Sequence, residues 1–119
     1  MAPLYNLKSG QTGSHKEVVE LEAASGAIGI KSGVAVITAS SAAALALAAP
    51  LAGVDDGSVL TIVSTTAQAH TVTNASPGFN GAGTSGDVAT FGAAIGNAMQ
   101  VVAYNGNWYT IALRNVTLA

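Results

Sequence analysis

The segment Asn97–Leu113, NAMQVVAYNGNWYTIAL, constrains the fold more than any other stretch of the chain. Two runs rich in Val, Ile, Thr and aromatic residues flank Asn105-Gly106. An Asn-Gly pair accepts the positive φ angles of a two-residue type I′ turn, whose twist matches that of the strands it joins. A β-hairpin is therefore predicted here. It carries the single Trp and two of the three Tyr, so much of the bulky packing material sits on it. Tyr104 and Trp108 flank the turn, and alternation points Tyr109 away from Trp108. That pattern suits one aromatic in the core and another at a surface or subunit contact.

The texture is β through most of the remaining chain. Val34–Thr38 alternates as a half-buried strand does and follows Ala27–Lys31 across Ser32-Gly33, so Gly26–Thr38 reads as a second hairpin. Val59–Ser64 (VLTIVS) is nearly continuous in apolar character and reads as a central strand. Ala69–Asn74, Val88–Phe91 and Arg114–Ala119 supply further short strands. Leu51–Gly57 and the Gly-rich Asn74–Asp87 read as turn and loop. Phe79 in that loop either pins it to the body or touches a neighbour. Glu17–Ala24 is read as a strand carrying its Glu side chains on a wet edge.

Ser40–Ala49 (SSAAALALAA) supports two readings. Ala and Leu favour a helix that Ser40 or Ser41 would cap and Pro50 would stop. Leu45 and Leu47 stand two apart, the spacing of one strand face, and β neighbours favour the strand. Residues 1–16 read as a flexible arm with an apolar tip at Pro3, Leu4, Tyr5 and Leu7. The expectation is an all-β protein: a small antiparallel β-sandwich or barrel-like domain over residues 17–119, preceded by that arm.

Charge decides which functions this composition excludes. Charged residues make up 8% of the chain, against about 25% in an ordinary domain. The four cations, Lys8, Lys16, Lys31 and Arg114, do not cluster, so nucleic-acid binding is not expected. A thin supply of charge favours burial of surface between identical subunits over a monomer. The longest apolar run, Ala42–Ala52, is about half a membrane span and contains Pro50. Met1–Gln11 shows no apolar signal-peptide core. No membrane association is expected.

No constellation of residues states a reaction. There are no cysteines, and His15 and His70 lie 55 positions apart, so neither a metal site nor a cofactor is expected. Asp55-Asp56-Gly57 has the form of a turn and lacks the spaced ligands of a calcium loop. His70 with a Ser and Asp87 makes a triad only on paper, because no G-x-S-x-G elbow singles out a Ser. The glycines at 78, 81, 83 and 86 lack the Lys and following helix of a phosphate loop. A non-enzymatic protein is expected.

The stretches DDGSVLTIVSTTAQAHTVTNASPGFNG (Asp55–Gly81) and VATFGAAIGNAMQVVAYNGNWYTIA (Val88–Ala112), with GVAVITASSAAALALAAPLAG (Gly33–Gly53) before them, resemble small virion proteins of tailed bacteriophages. Similar domains serve as capsid decoration (cement) proteins and as fibre or tail-associated proteins. For decoration proteins the resemblance implies a compact β domain, commonly a homotrimer, seated outside the capsid and bridging copies of the major capsid protein. On that reading Pro3, Leu4, Tyr5 and Leu7 grip the capsid by adding a strand or filling a groove. Phe79, Tyr104 and Trp108 are the candidate subunit or surface contacts. The alternatives are a receptor-binding head that recognises a host glycan and a small carbohydrate-binding module.

Overall fold

The computed structural model describes residues 18–119. The arm expected over residues 1–16, with Pro3, Leu4, Tyr5 and Leu7, lies outside the described residues. Ten strands follow: β1 (Val19–Glu22), β2 (Gly26–Ala27), β3 (Gly33–Ile37), β4 (Ala44–Ala46), β5 (Val59–Ser64), β6 (Thr71–Thr73), β7 (Val88–Phe91), β8 (Ala98–Tyr104), β9 (Asn107–Arg114) and β10 (Val116–Leu118). They form two five-stranded sheets, ordered β1-β3-β5-β8-β9 and β10-β7-β6-β4-β2. The fold is the expected all-β sandwich.

The sheets are mixed, where purely antiparallel ones were expected. The first six strands alternate between the sheets, so β1, β3 and β5 lie parallel in one and β2, β4 and β6 parallel in the other. Parallel neighbours need a crossover connection, and here each crossover contains a strand of the opposite sheet. The result is a stack of three two-strand coils. The chain then reverses: β7 pairs antiparallel with β6, β8 with β5, β9 with β8, and β10 with β7.

Gly26–Thr38 is accordingly not a hairpin, because β2 and β3 belong to different sheets. Gly33 serves another purpose. Its φ is +100°, and a β-carbon there would overlap the carbonyl of Val18, which accepts the Val34 N–H at 2.8 Å. The glycine lets β1 and β3 approach.

The other local expectations follow their physical causes. Asn105 and Gly106 have φ of 49° and 82°, the pair of positive values that the type I′ turn between β8 and β9 requires. In Ser40–Ala49, Ala43, Leu45 and Leu47 are buried while Ala44, Ala46 and Ala48 are exposed, so period two prevails over helix propensity. Val59–Ser64 is the middle strand of its sheet.

The core lies between the sheets. Register lines up Ala35, Ile62 and Met99 across one inner face, and Leu45, Val72 and Ala89 across the other. Trp108 fills the end of β9 and ties the layers together, its Nε1 donating to the Ala48 carbonyl at 2.9 Å. Phe79 is also fully buried and anchors the 74–87 loop. In that loop Asn80 holds β9, its Oδ1 accepting the Thr110 N–H at 2.9 Å.

Candidate functional site

The two outer faces of the sandwich differ in chemistry. On the β10-β7-β6-β4-β2 sheet, register sets Ala44, Thr71, Thr90 and Thr117 in one outward row. Small residues and hydroxyls of this kind suit contact with water. On the other sheet the outward positions are Val19 and Leu21 of β1, Val34 and Val36 of β3, and Val59, Thr61 and Val63 of β5. Ala98, Gln100, Val102 and Tyr104 of β8 and Asn107, Tyr109, Ala112 and Arg114 of β9 complete them. Arg114, at one corner, is the single charged side chain among these positions.

Several of these apolar groups stand well into solvent, with Leu21 at 64%, Tyr104 at 61% and Tyr109 at 38% exposure. An exposed face of this kind, apolar but for a few uncharged polar groups and Arg114 at its corner, has the chemistry of a protein contact surface. It contains a shallow hollow of about 380 Å³ lined by Ser32, Val34, Gly57, Val59, Thr61 and Gln100. Within the face Gln100 Nε2 donates to Thr61 Oγ1 at 3.0 Å.

Of the contact residues expected from sequence, Tyr104 lies on this face. Phe79 and Trp108 do not serve as surface contacts, because both side chains are fully buried in the core. Tyr109 and the valines of β1, β3 and β5 are the residues that the sequence reading did not assign to contact. One signal for them was present. Val59–Val63 is apolar on both faces, and a strand covered on one side only then presents its second apolar face outward.

The edge strand β1 inverts the usual alternation. Val19 and Leu21 face outward, while Glu20 and Glu22 turn toward the open end of the core. The expected wet edge therefore holds for neither carboxylate in full: Glu22 is only 6% exposed. Glu20 Oε1 accepts the Gly29 N–H at 2.7 Å. Glu22 Oε2 is buried without a hydrogen-bond partner among the described residues. Desolvation, and then the adjacent Glu20, push the Glu22 carboxyl up to about 7. Glu20 is held low, first by the hydrogen bond from Glu22 and then by Gly29. A Glu22 carboxyl that keeps its proton can donate it to Glu20, so the two acids are able to share one proton. Inward charges at a sheet edge also discourage edge-to-edge aggregation.

The remaining polar groups have structural partners. His70 is fully buried; its Nδ1 accepts the Ala43 N–H at 3.0 Å, and Nε2 lies 2.8 Å from Thr66 Oγ1. Thr66 Oγ1 donates to the Ala39 carbonyl at 2.7 Å, which assigns the imidazole proton to Nε2. Burial lowers the pKa of this ring. Asp55 Oδ2 accepts the Leu51 N–H at 2.7 Å, and Asp56 Oδ1 accepts the Asn105 N–H at 2.9 Å. The two aspartates thus fix a turn against the β8–β9 hairpin. Among the described residues no three His, Cys, Asp or Glu side chains group to hold a metal ion.

No protein-family model matches this chain, and neither a curated protein nor a solved structure does.

Proposed function

We propose that this chain is a bacteriophage head decoration protein that binds the outside of the capsid and stabilises it without catalysis. The observation that carries the reading is the Val/Tyr face of the β1-β3-β5-β8-β9 sheet, whose one charge is Arg114 at a corner. Such a face suits permanent burial against protein, and a two-layer sandwich presents it on a stiff support. The sequence texture over Gly33–Gly53, Asp55–Gly81 and Val88–Ala112 supports the same reading through its resemblance to small virion proteins. The protein acts as a homotrimer. Its partner is the major capsid protein, its place is the capsid exterior, and it is made in the host cytoplasm.

Binding to expanded capsids that lack the protein tests this directly. The full chain is expected to co-sediment with such capsids and raise their resistance to heat. Deleting residues 2–12, which removes Pro3, Leu4, Tyr5 and Leu7, is expected to abolish co-sedimentation while the circular dichroism of the β domain is retained. Undiminished binding of the truncated chain would remove the arm from the account. Failure of the full chain to bind would remove the function.

The exposure of Tyr104 at the tip of the β8–β9 hairpin favours one second reading, a receptor-binding head that stacks this ring on a host glycan. Glycan-array binding lost with Tyr104→Ala would select that reading.

A further inference from the structure

We propose that identical copies of this chain associate through the outer face of the β1-β3-β5-β8-β9 sheet, around an axis running along its strands. Tyr109 of one copy then seats in the next copy's hollow over β5, which Val34 of β3 and Gln100 of β8 flank. The proposal deepens the decoration reading by naming the surface that joins the copies, and it rests on that reading only for the number of copies.

Three observations carry it. The first is charge. A face whose one ion is Arg114, at a corner, presents no charge pattern that calls for a differently charged partner. Two such faces meet with their one ion at the rim, and the central Gln100 and Thr61 already share a hydrogen bond.

The second is size. Five strands about 4.8 Å apart, with residues rising about 3.3 Å each, give a face of roughly 24 by 20 Å. With side-chain relief its accessible area is on the order of 700 Å²; this is close to the ~800 Å² that each partner contributes to a stable interface where two copies meet, and where three copies close the ring each contact takes about half of it.

The third is shape. Tyr109 pairs with Val102, and Val102 with Val59, which borders the hollow. The protruding ring and the hollow therefore lie at the same level along the strands, the ring on the edge strand β9 and the hollow over the middle strand β5. Rotation about an axis parallel to the strands preserves that level. It carries the ring of one copy to the height of its neighbour's hollow, whether the ring of copies closes at two or at three. The inverted alternation of β1 adds Val19 and Leu21 to the same surface.

Light scattering after size exclusion, on the full chain at roughly 5–200 µM, above the µM-to-pM dissociation constants of interfaces of this size, reads the association. The wild-type mass is expected to be a multiple of 11.6 kDa. Val34→Lys places a charge in the hollow and Tyr109→Ala removes the ring. Each is expected to weaken association at least about tenfold, the scale of losing one interface anchor. Both side chains point outward, so far-UV circular dichroism should be unchanged. Thr90→Lys, outward on the opposite sheet, is expected to leave the mass as it was. A wild-type monomer throughout the range, or an oligomer indifferent to both variants, overturns the proposal. A monomer that still binds capsids overturns this inference and leaves the decoration function standing. An oligomer that ignores capsids does the reverse.

Discussion

Raising the pH should loosen this protein from its N-terminal edge, and Glu22 gives the size of the effect. The folded-state pKa of this carboxyl is raised from 4.5 to about 7. For a raised acid the folded state holds the proton that the unfolded state has already released. The stabilisation is thus fully present below pH 4.5 and is lost as pH climbs through about 7. At about 1.36 kcal/mol per unit, the loss is on the order of 3 kcal/mol. That figure is an upper bound, because Glu20 is held low by the same shared proton and the pair titrates as a unit. For a domain of this size it corresponds to a fall of roughly 10 °C in melting temperature.

Glu22→Gln supplies the comparison. Its amide can donate to Glu20 at every pH, as the protonated carboxyl does only when the pH is low. Thermal unfolding of both proteins from pH 4.5 to 8 reads the effect, and subtracting one curve from the other cancels contributions common to both, His70 included. The wild type is expected to lose stability relative to the variant across this window. Hydrogen exchange at β1, which among the described residues pairs with β3 alone, is expected to rise with it. A difference between the two proteins that stays constant with pH would refute the shared-proton account.

Trp108→Ala empties the largest fully buried side-chain site and leaves the Ala48 carbonyl without its donor. A loss of about 3–5 kcal/mol is expected in urea unfolding, and a loss under about 1 kcal/mol would contradict the core assignment. His70 is expected to stay neutral with its proton on Nε2, because protonating Nδ1 would set two donors, Nδ1–H and the Ala43 N–H, against each other. Since its pKa is lowered, its contribution is present above the ordinary value of 6.5 and is lost as pH falls below it. An NMR titration should place the ring's midpoint below 6.5; a midpoint at or above that value would contradict the geometry.

What the sequence disclosed depended on whether one residue pair or one period determines the outcome. Asn105-Gly106 sets the β8–β9 turn by its own dihedral angles, so that hairpin was legible. Leu45 and Leu47 disclosed β4 because a two-residue period on one face suffices to distinguish it from a helix once its neighbours are strands. Parallel and antiparallel pairing share that period. Nothing in Val34–Ile37 or Val59–Ser64 therefore told that β1, β3 and β5 run parallel, and Ser32-Gly33 passed for a hairpin turn.

The outer face was half legible. Alternation separated Tyr109 from Trp108 correctly. Phe79 and Trp108 read as contact candidates in the sequence and are buried in the structure, because a sequence does not show which of two apolar faces the second sheet covers. Glu22 was misplaced for a related reason. A carboxylate in an edge strand is ordinarily turned to water, and here the apolar members of β1 take the outer face instead.

The most direct test of the decoration account is copy number. Virions produced from the genome that encodes this chain can be purified and the protein quantified against the major capsid protein by mass spectrometry with labelled standards. Decoration requires hundreds of copies per particle, in a fixed ratio to the capsid subunits. Tens of copies or fewer would assign the protein to a fibre, and its absence from the particle would contradict the account altogether.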